Sequence, residues 1–75
     1  MLIRVQKGDT FVNINAMERI SISESNSICA YRGDKAIRLG SYPSNTRANI
    51  VLNKIGEAYG KKTLFEMPEA YFEFD

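Results

Sequence analysis

The chain has 75 residues, of which 44% are hydrophobic and 25% are charged, and its formal net charge is +1. One small domain fits this length, and the composition is that of a folded protein rather than a disordered one. The sequence contains no histidine and a single cysteine, Cys29. An intrachain disulfide, a zinc centre and a histidine general base are therefore excluded, and we expect no metal and no cofactor.

The N-terminal part of the sequence alternates apolar and polar residues, which is the period of a half-buried β-strand. The segments LIRVQ (2–6) and TFVNINA (10–16) predict the first two strands. The segment KGD (7–9) lies between them and predicts a hairpin turn in which the glycine supplies the positive φ.

Three more strands are predicted by the segments that follow, RISIS (19–23), ICAYR (28–32) and KAIRLGSY (35–42). The polar segments ESNS (24–27) and GD (33–34) predict the turns between them. Because short turns join all of these strands, we expect an antiparallel meander.

The segment from residue 44 to residue 60 predicts an α-helix. Ser44 is the expected N-cap, because its hydroxyl can accept from an N–H of the first turn, and Gly60 is expected to end the helix. Gly56 lies near the apolar stripe, where a close approach to the sheet would offset its low helix propensity. The segment TLFEMP (63–68) predicts a sixth short strand. The residues that form the apolar stripe at helical spacing are Ala48, Val51, Leu52, Ile55 and Tyr59.

These elements predict an α+β fold, an antiparallel meander sheet of about five to six strands with one helix packed on one face. We expect residues 1–68 to form this domain and residues 69–75 to form an aromatic and acidic tail. The face covered by the helix is expected to carry Ile3, Val5, Val12, Ile14, Ile20, Ile22, Ile37 and Leu39. The opposite face is expected to display Arg4, Phe11, Asn13, Asn15, Ser21, Cys29, Tyr31 and Arg38.

The turn that leads into the helix is a candidate anion site. A helix N-terminus presents unpaired N–H groups and a partial positive charge, which suit a phosphate. An arginine in the first turn opposes the helix dipole, so Arg47 needs a partner, either a phosphate or an acidic residue of the tail. The plainer interpretation is that Ser44 only caps the helix and that Arg47 is solvated.

The tail carries three aromatic residues, Tyr71, Phe72 and Phe74, beyond the last predicted element. They can pack on the domain, insert into a neighbouring subunit or engage a target. Packing within the domain or its oligomer is the simplest interpretation.

The charges are unevenly distributed along the chain. Residues 1–62 carry ten basic and five acidic residues, whereas residues 63–75 carry four acidic residues and no basic one. A mildly basic body attracts phosphates, but it lacks the dense basic stripe of a DNA-binding protein, so nucleic acid is an unfavoured partner. A lone cysteine, with no signal-peptide pattern and no long apolar run, indicates a cytoplasmic protein without a membrane role.

Three segments, LIRVQKGDTFVNINAMERI (2–20), LGSYPSNTRANIVLNKIGEA (39–58) and LFEMP (64–68), carry a family resemblance. Together they resemble a family of small, mostly uncharacterised proteins of Gram-positive bacteria, their phages and prophages, in which the middle segment reads LGxYxSxxRAxxVLxxIxxA. The chain departs from that family at Pro43, where acidic or polar residues are usual, and in its aromatic tail. The resemblance implies no assigned activity and no catalytic residues. It does imply a counter-defence setting, in which a small protein sequesters a nucleotide-type immune signal or inhibits a host protein.

The sequence therefore predicts a non-enzymatic phage binding protein that acts as a sponge for a small phosphorylated, nucleotide-like ligand. Arginines would pair with phosphates, polar residues at the helix start would donate hydrogen bonds, and aromatic residues would stack on a base. We expect a homo-oligomer with sites between subunits. Two alternatives stay open, an inhibitor that binds a host protein through the sheet face or the tail, and a nucleic-acid module. The expected ligand-binding residues are Arg4, Phe11, Asn13, Tyr31, Arg38, Tyr42, Ser44, Asn45, Thr46 and Arg47.

Overall fold

The computed structural model describes residues 1–73, and within them six strands form two separate sheets of three strands each. The first sheet has β1 (Leu2–Arg4) at its centre, between β2 (Phe11–Asn13) and β6 (Leu64–Glu66). Strand β1 pairs antiparallel with β2 and parallel with β6. The first sheet thus brings the start of the chain together with the segment that follows the helix.

The second sheet is an antiparallel meander in the order β3 (Arg19–Ile22), β4 (Ser27–Arg32) and β5 (Lys35–Ser41). A loop of two residues joins β4 to β5, and the first of them, Gly33, has a φ of 61°. A glycine with positive φ at this position is typical of a type II′ hairpin, whose twist matches that of the strands.

The single sheet that the sequence predicts is divided in two, and the predicted second strand, residues 10–16, is shorter than expected. A short 3₁₀-helix, Ile14–Ala16, follows β2 instead. The Asn13 side chain accepts a hydrogen bond from the Asn15 N–H (3.1 Å), which caps this turn. Asparagine side chains compete with a strand ladder for backbone hydrogen bonds. The chain therefore leaves the first sheet here and starts a second one with β3.

Helix α1 (Asn45–Ala58) begins and ends close to its predicted limits. The Ser44 hydroxyl accepts from the Arg47 N–H (3.2 Å), so the predicted N-cap is confirmed. Two residues of the predicted apolar stripe are not fully buried, since Leu52 is half-buried and Tyr59 is exposed. No helix within residues 1–73 is long and apolar enough to cross a membrane.

One apolar core joins both sheets and the helix. Helix α1 packs on β3 and β4. Ile37, which was expected on the covered face, lies on β5 at the margin of the helix and is 41% exposed. Strand β5 has a bulge opposite Ile28 and Cys29, and Leu39, which lies at this bulge, is buried in the core. The buried residues of this core are Ile3, Val12, Ile14, Ile28, Ala30, Leu39, Tyr42, Ala48, Val51, Ile55 and Met67.

The Gln6 side chain fastens the first sheet to β5 and to the C-terminal segment. Its Nε2 donates to the carbonyls of Ser41 (3.2 Å) and Pro68 (2.9 Å), and its Oε1 accepts from the Ser41 N–H (2.9 Å). The Gln6 backbone N–H also donates to the Leu39 carbonyl (2.8 Å). The Tyr42 hydroxyl donates to the same Pro68 carbonyl (2.8 Å). These bonds fix the position at which the two sheets meet.

The prediction that Gly56 approaches the sheet is wrong, because it is exposed and an added Cβ would meet no heavy atom within 4 Å. Gly56→Ala is therefore expected to raise the free energy of unfolding by about 0.5 to 1 kcal/mol through better helix propensity.

Gly40→Ala is expected to lower the free energy of unfolding by about 1 to 3 kcal/mol through overpacking. A Cβ on Gly40 would lie 3.1 Å from the Tyr42 Oη and 3.3 Å from the Gln6 Cβ. Urea unfolding of both variants tests this, and shifts of the same sign would contradict it.

Candidate functional site

The C-terminal segment contacts the first turn of α1 at Arg47. The Arg47 guanidinium donates a hydrogen bond to the Phe72 carbonyl, and its Cζ lies 5.3 Å from the centre of the Phe72 ring. The partner that Arg47 was expected to need is therefore provided by the tail, in part through its backbone. Asn45 and Thr46 stay exposed, and the Asn45 side chain accepts from Asn49 Nδ2 (2.8 Å).

Packing of the tail on the domain is confirmed for Phe72. Its N–H donates to the Glu69 carbonyl (3.2 Å), which turns the chain back towards the helix. Its ring meets the Tyr42 ring edge-on, with 6.0 Å between the centres, and the Lys54 Nζ lies 5.3 Å from its centre. Tyr71 remains 79% exposed. Phe74 lies outside the residues that the structure describes.

Tyr42 belongs to the core, with only 4% of its surface exposed. Its hydroxyl is bonded to the Pro68 carbonyl, and burial raises the pKa of Tyr42 to about 12. A ring in this position cannot stack on a ligand base. The sequence could not show this, because Tyr42 stands in a polar turn and its contacts come from residue 68 onwards.

Three of the expected ligand residues lie on or beside the first sheet, where other residues of the chain engage them. Arg4 is opposite Phe11 and Glu66 in the strand register, with 5.4 Å from its Cζ to the Phe11 ring centre. Its Nη1 lies 3.6 Å from the Glu66 Oε1. The Asn13 side chain caps the 3₁₀-helix. These contacts give Arg4, Phe11 and Asn13 sufficient structural roles.

Tyr31 and Arg38 lie on the second sheet. The Tyr31 ring is covered by Arg19, its partner across the β3–β4 pair, whose Cζ is 4.4 Å from the ring centre. Phe11 and Tyr31 are thus each paired with an arginine of the same sheet. Arg38 is exposed and lies opposite Cys29.

A groove of about 350 Å³ separates the turn after β1 from strand β5. Two of its lining residues, Lys7 and Arg38, are exposed and positively charged, and none of its lining residues is acidic. The Ser41 hydroxyl at its far end exchanges a hydrogen bond with the Ser27 hydroxyl (2.9 Å). The groove therefore combines uncompensated positive charge with backbone and hydroxyl groups, which is the chemistry that an anion requires. The polar or charged residues among its lining are Gln6, Lys7, Arg38 and Ser41.

A neighbouring groove beside Arg4 also includes Lys7, but its charges are balanced. Glu66 and Glu69 line it together with these two basic residues. Because carboxylates repel a phosphate as strongly as the basic residues attract it, this groove is a poor anion site.

Another groove lies at the C-terminal end of α1. Its lysines have a structural reason to be there, because the last carbonyls of a helix carry a partial negative charge that attracts cations. The same partial charge opposes a bound anion, so the groove at Lys7 and Arg38 is better suited to one. The charged residues of the helix-end groove are Lys54, Glu57, Lys61 and Lys62.

The structure therefore places the expected ligand residues in three separate regions, the start of the helix, the first sheet and the second sheet. Arg38 alone among them lines the groove that combines cations with no acid. Lys7 was missed because KGD predicts an ordinary turn. Lys7 and Arg38 are far apart in the sequence. They line one groove because Gln6, next to Lys7, is hydrogen-bonded to β5.

Neither metal-ligating side chains nor similarity to known proteins indicates a further site. Within residues 1–73, no group of three or more His, Cys, Asp or Glu side chains is placed to hold a metal ion. Cys29 is half-buried in β4. Comparison with protein-family models, with curated proteins and with solved structures found no significant match.

Proposed function

We propose that this protein is a non-enzymatic binding protein that holds a small phosphorylated ligand in the groove between Lys7 and Arg38. In this arrangement the planar guanidinium of Arg38 contacts two phosphate oxygens, and the Lys7 ammonium contacts the phosphate as a point charge. The Ser41 hydroxyl also lines the groove and can contribute a further polar contact.

One observation carries the proposal: the groove gathers two exposed cations and no acid. Three other arginines have partners within the chain, since Arg4 lies beside Glu66, Arg19 beside Tyr31 and Arg47 beside Phe72. Two cations that share a groove repel each other, and a bound anion removes that repulsion. A bound phosphate therefore lowers the electrostatic free energy of the groove.

The backbone at Lys7 supports the same groove. Lys7 has a φ of 55°, although the residue beside it is a glycine without a positive φ. The expectation that Gly8 supplies the positive φ is thus wrong. The other non-glycine residue with positive φ is Asn26, and asparagine tolerates this conformation far better than lysine does. A strained backbone that persists next to a glycine is typical of a position held for function.

The family resemblance supplies the setting for this proposal. A small protein of a phage or prophage that binds a phosphorylated nucleotide without converting it would act as a sponge for an immune signal. The lack of histidine supports binding without turnover, because the usual general base is missing. In this setting, tight binding alone is enough to silence a signal.

Thermal unfolding in the presence of cyclic dinucleotides, cyclic trinucleotides and ADP-ribose is the direct test. A ligand that binds the folded state raises the melting temperature by mass action. Calorimetric titration of that ligand against Lys7→Asn and Arg38→Ala is expected to show a loss of affinity of about 10-fold to 100-fold for each, because each removes a charge-assisted hydrogen bond. Asparagine keeps the positive φ at residue 7 while it removes the charge.

Lys62→Ala is the matched control, since it removes one cation from the groove at the end of α1. It is expected to leave the affinity unchanged within about 2-fold, because Lys62 does not line the groove of Lys7 and Arg38. An equal loss for Lys62→Ala would contradict the site. Chemical conversion of the ligand, checked by chromatography after incubation, would contradict the non-enzymatic proposal.

A second candidate function, direct inhibition of a host protein, is favoured by Tyr71. This ring is 79% exposed although Phe72 beside it packs on the domain. Exposed tyrosines are common anchors of protein interfaces. The second candidate would gain if no nucleotide shifts the melting temperature while Tyr71→Ala abolishes binding to a host protein.

A further inference from the structure

Strand β5 is an edge of the second sheet, and its first half is open. Residues 35–38 are exposed, whereas Leu39 and Gly40 are buried. The Gln6 N–H donates to the Leu39 carbonyl, so the first sheet covers only the second half of this edge. Within residues 1–73, no backbone hydrogen bond from outside the sheet ladder reaches residues 35–38. Such an edge is a template for another strand.

The backbone groups of Ala36 point away from β4. The loop between β4 and β5 has two residues, so Arg32 and Lys35, which flank it, form a hydrogen-bonded pair. Hydrogen-bonded and non-hydrogen-bonded pairs alternate along an antiparallel ladder. Ala36, opposite Tyr31, is therefore in a non-hydrogen-bonded pair, and both its N–H and its C=O are directed outwards.

The same edge exposes an apolar side chain. Ile37 is 41% exposed, although its partner in β4, Ala30, is buried. Helix α1 covers β3 and β4 and leaves Ile37 at its margin. The tip of the hairpin is held in place, because Glu18 accepts a hydrogen bond from the Gly33 N–H. The edge is thus preorganised for a partner.

A second copy that pairs antiparallel with this edge has few registers to choose from, because the outward groups recur at every second residue. A register centred on Lys35 would bring the two Lys35 side chains together, which is unfavourable. A register centred on Ile37 would place Lys35 opposite Leu39. The Leu39 carbonyl already accepts from Gln6, so that part of the edge is occupied.

The register centred on Ala36 pairs the outward backbone groups with each other and brings opposite charges together. The two Ala36 residues face each other as a hydrogen-bonded pair. Asp34, in the loop directly before β5, comes close to Arg38 of the other copy, so opposite charges meet on both sides of the two-fold axis. Lys35 lies opposite Ile37 and can cover it with its aliphatic stem.

We infer that this protein forms a two-fold homodimer in which the β5 edges of two copies pair antiparallel around Ala36. The pairing joins two three-stranded sheets into one continuous antiparallel sheet. The partner is a second copy because the edge is complementary to itself in charge and in hydrogen-bonding register. Four exposed residues make a small contact, so the association is weak, with half-dimerisation between about 10 μM and 1 mM.

This inference does not depend on the proposed ligand. Arg38 is shared, however, because it faces the groove as well as Asp34 of the second copy. An anion in the groove is therefore expected to weaken the dimer. The pairing is tested without ligand at Ala36, and the ligand site is tested at Lys7, so failure of one is distinguishable from failure of the other.

Sedimentation velocity over this concentration range is the test, with wild type, Ala36→Pro and Ala36→Val. Proline removes the outward N–H but is tolerated on an edge strand. Ala36→Pro is expected to weaken dimerisation by at least about 30-fold, because two backbone hydrogen bonds are lost. Ala36→Val keeps the N–H and is expected to dimerise as wild type does. A monomeric wild type, or dimerisation of Ala36→Pro equal to that of wild type, would overturn the inference.

Amide hydrogen exchange of the wild type provides a test that needs no variant. The Ala36 N–H is expected to exchange fast in dilute solution and to become protected as the concentration rises. The Ile37 N–H lies in the β4–β5 ladder and is expected to be protected throughout, as the internal control. Fast exchange at Ala36 at the highest concentration would overturn the inference.

Discussion

Gln6→Ala is expected to lower the free energy of unfolding by about 2 to 4 kcal/mol, a large fraction of what a small domain has. The side chain makes hydrogen bonds of 2.9 Å to the Pro68 carbonyl and 2.9 Å from the Ser41 N–H, with a longer bond of 3.2 Å to the Ser41 carbonyl. These bonds are partly buried and connect segments far apart in the sequence. Their loss leaves backbone groups of Ser41 without a partner, which costs more than the bonds themselves contribute. Urea unfolding followed by circular dichroism measures the change.

Asn49→Ala is the matched control for this experiment. Its side chain also makes two hydrogen bonds, to the carbonyl (3.0 Å) and to the side chain (2.8 Å) of Asn45. Those bonds are exposed and lie within one helix, so water replaces them, and alanine gains helix propensity. A change within about 0.5 kcal/mol is expected. Equal losses for the two variants would show that burial does not set the strength of the Gln6 bonds.

Gln6→Glu separates hydrogen bonding from packing, because the two side chains have nearly the same shape. The new carboxylate keeps an acceptor for the Ser41 N–H but presents a second negative oxygen to the carbonyls of Ser41 and Pro68. This repulsion raises the pKa of the introduced carboxyl, so its protonated form fits the folded state better. The loss of stability should therefore be largest at neutral pH and shrink as the pH falls. A loss that does not vary with pH would contradict the arrangement of the Gln6 amide.

The elements that could be predicted from the sequence are those with local signals. Helix α1 has a serine at its start, a glycine after its end and an apolar stripe between them, all within one segment. The turn at Gly33 likewise combines a glycine with flanking alternation. Each of these signals acts over a few residues, so no knowledge of distant contacts is needed.

The features that could not be predicted depend on contacts between distant segments. Alternation continues through Asn13 and Ile14, and only the capping of the 3₁₀-helix shows where the first sheet ends. Ile37 has the pattern of a core residue, and its exposure follows from where α1 lies on the second sheet. Helix α1 packs mainly on β3 and β4, so the first half of β5 is exposed, and alternation alone does not show which strand lies at the margin of the helix.

The candidate site shows the same division. Arg38 could be predicted as a cation on an open strand, but its neighbour Lys7 could not, because the first sheet must dock on β5 before the two meet. Arg47 was expected to need a partner, and the tail supplies it through the carbonyl and ring of Phe72. The chain thus provides a partner for Arg47 and places no acidic residue in the groove of Lys7 and Arg38.

Tyr42→Phe is expected to remove a pH-dependent part of the stability that the wild type loses in alkaline solution. The wild-type phenol is buried and donates to the Pro68 carbonyl at 2.8 Å. Burial disfavours the phenolate and raises the pKa of Tyr42 from 10.0 to about 12 in the folded state. At neutral pH the variant loses one hydrogen bond, worth about 1 kcal/mol. The Pro68 carbonyl still accepts from Gln6, which limits this loss.

The sign of the alkaline effect follows from the raised pKa. The Tyr42 phenol holds its proton more tightly in the folded state than in the unfolded state. Below pH 10.0 it is protonated in both states, and its contribution to stability is fully present. This contribution is lost as the pH rises through about 12. A shift of this size corresponds to about 3 kcal/mol. Across this interval the wild type should therefore lose about 3 kcal/mol more than Tyr42→Phe does, because the variant has no proton to release at this position.

Unfolding free energies of the two proteins, measured in steps across this alkaline interval, give the difference directly. The other tyrosines, Tyr31, Tyr59 and Tyr71, are common to both proteins, so the difference reports on residue 42 alone. Phenolate absorbance gives an independent readout, in which the Tyr42 phenol of the wild type should ionise only as the pH approaches about 12. A difference in phenolate absorbance between wild type and Tyr42→Phe that appears near pH 10.0 would show that the Tyr42 hydroxyl reaches solvent. It would also undo the assignment of this ring to the core, and with it the anchoring of the tail through Pro68 and Phe72.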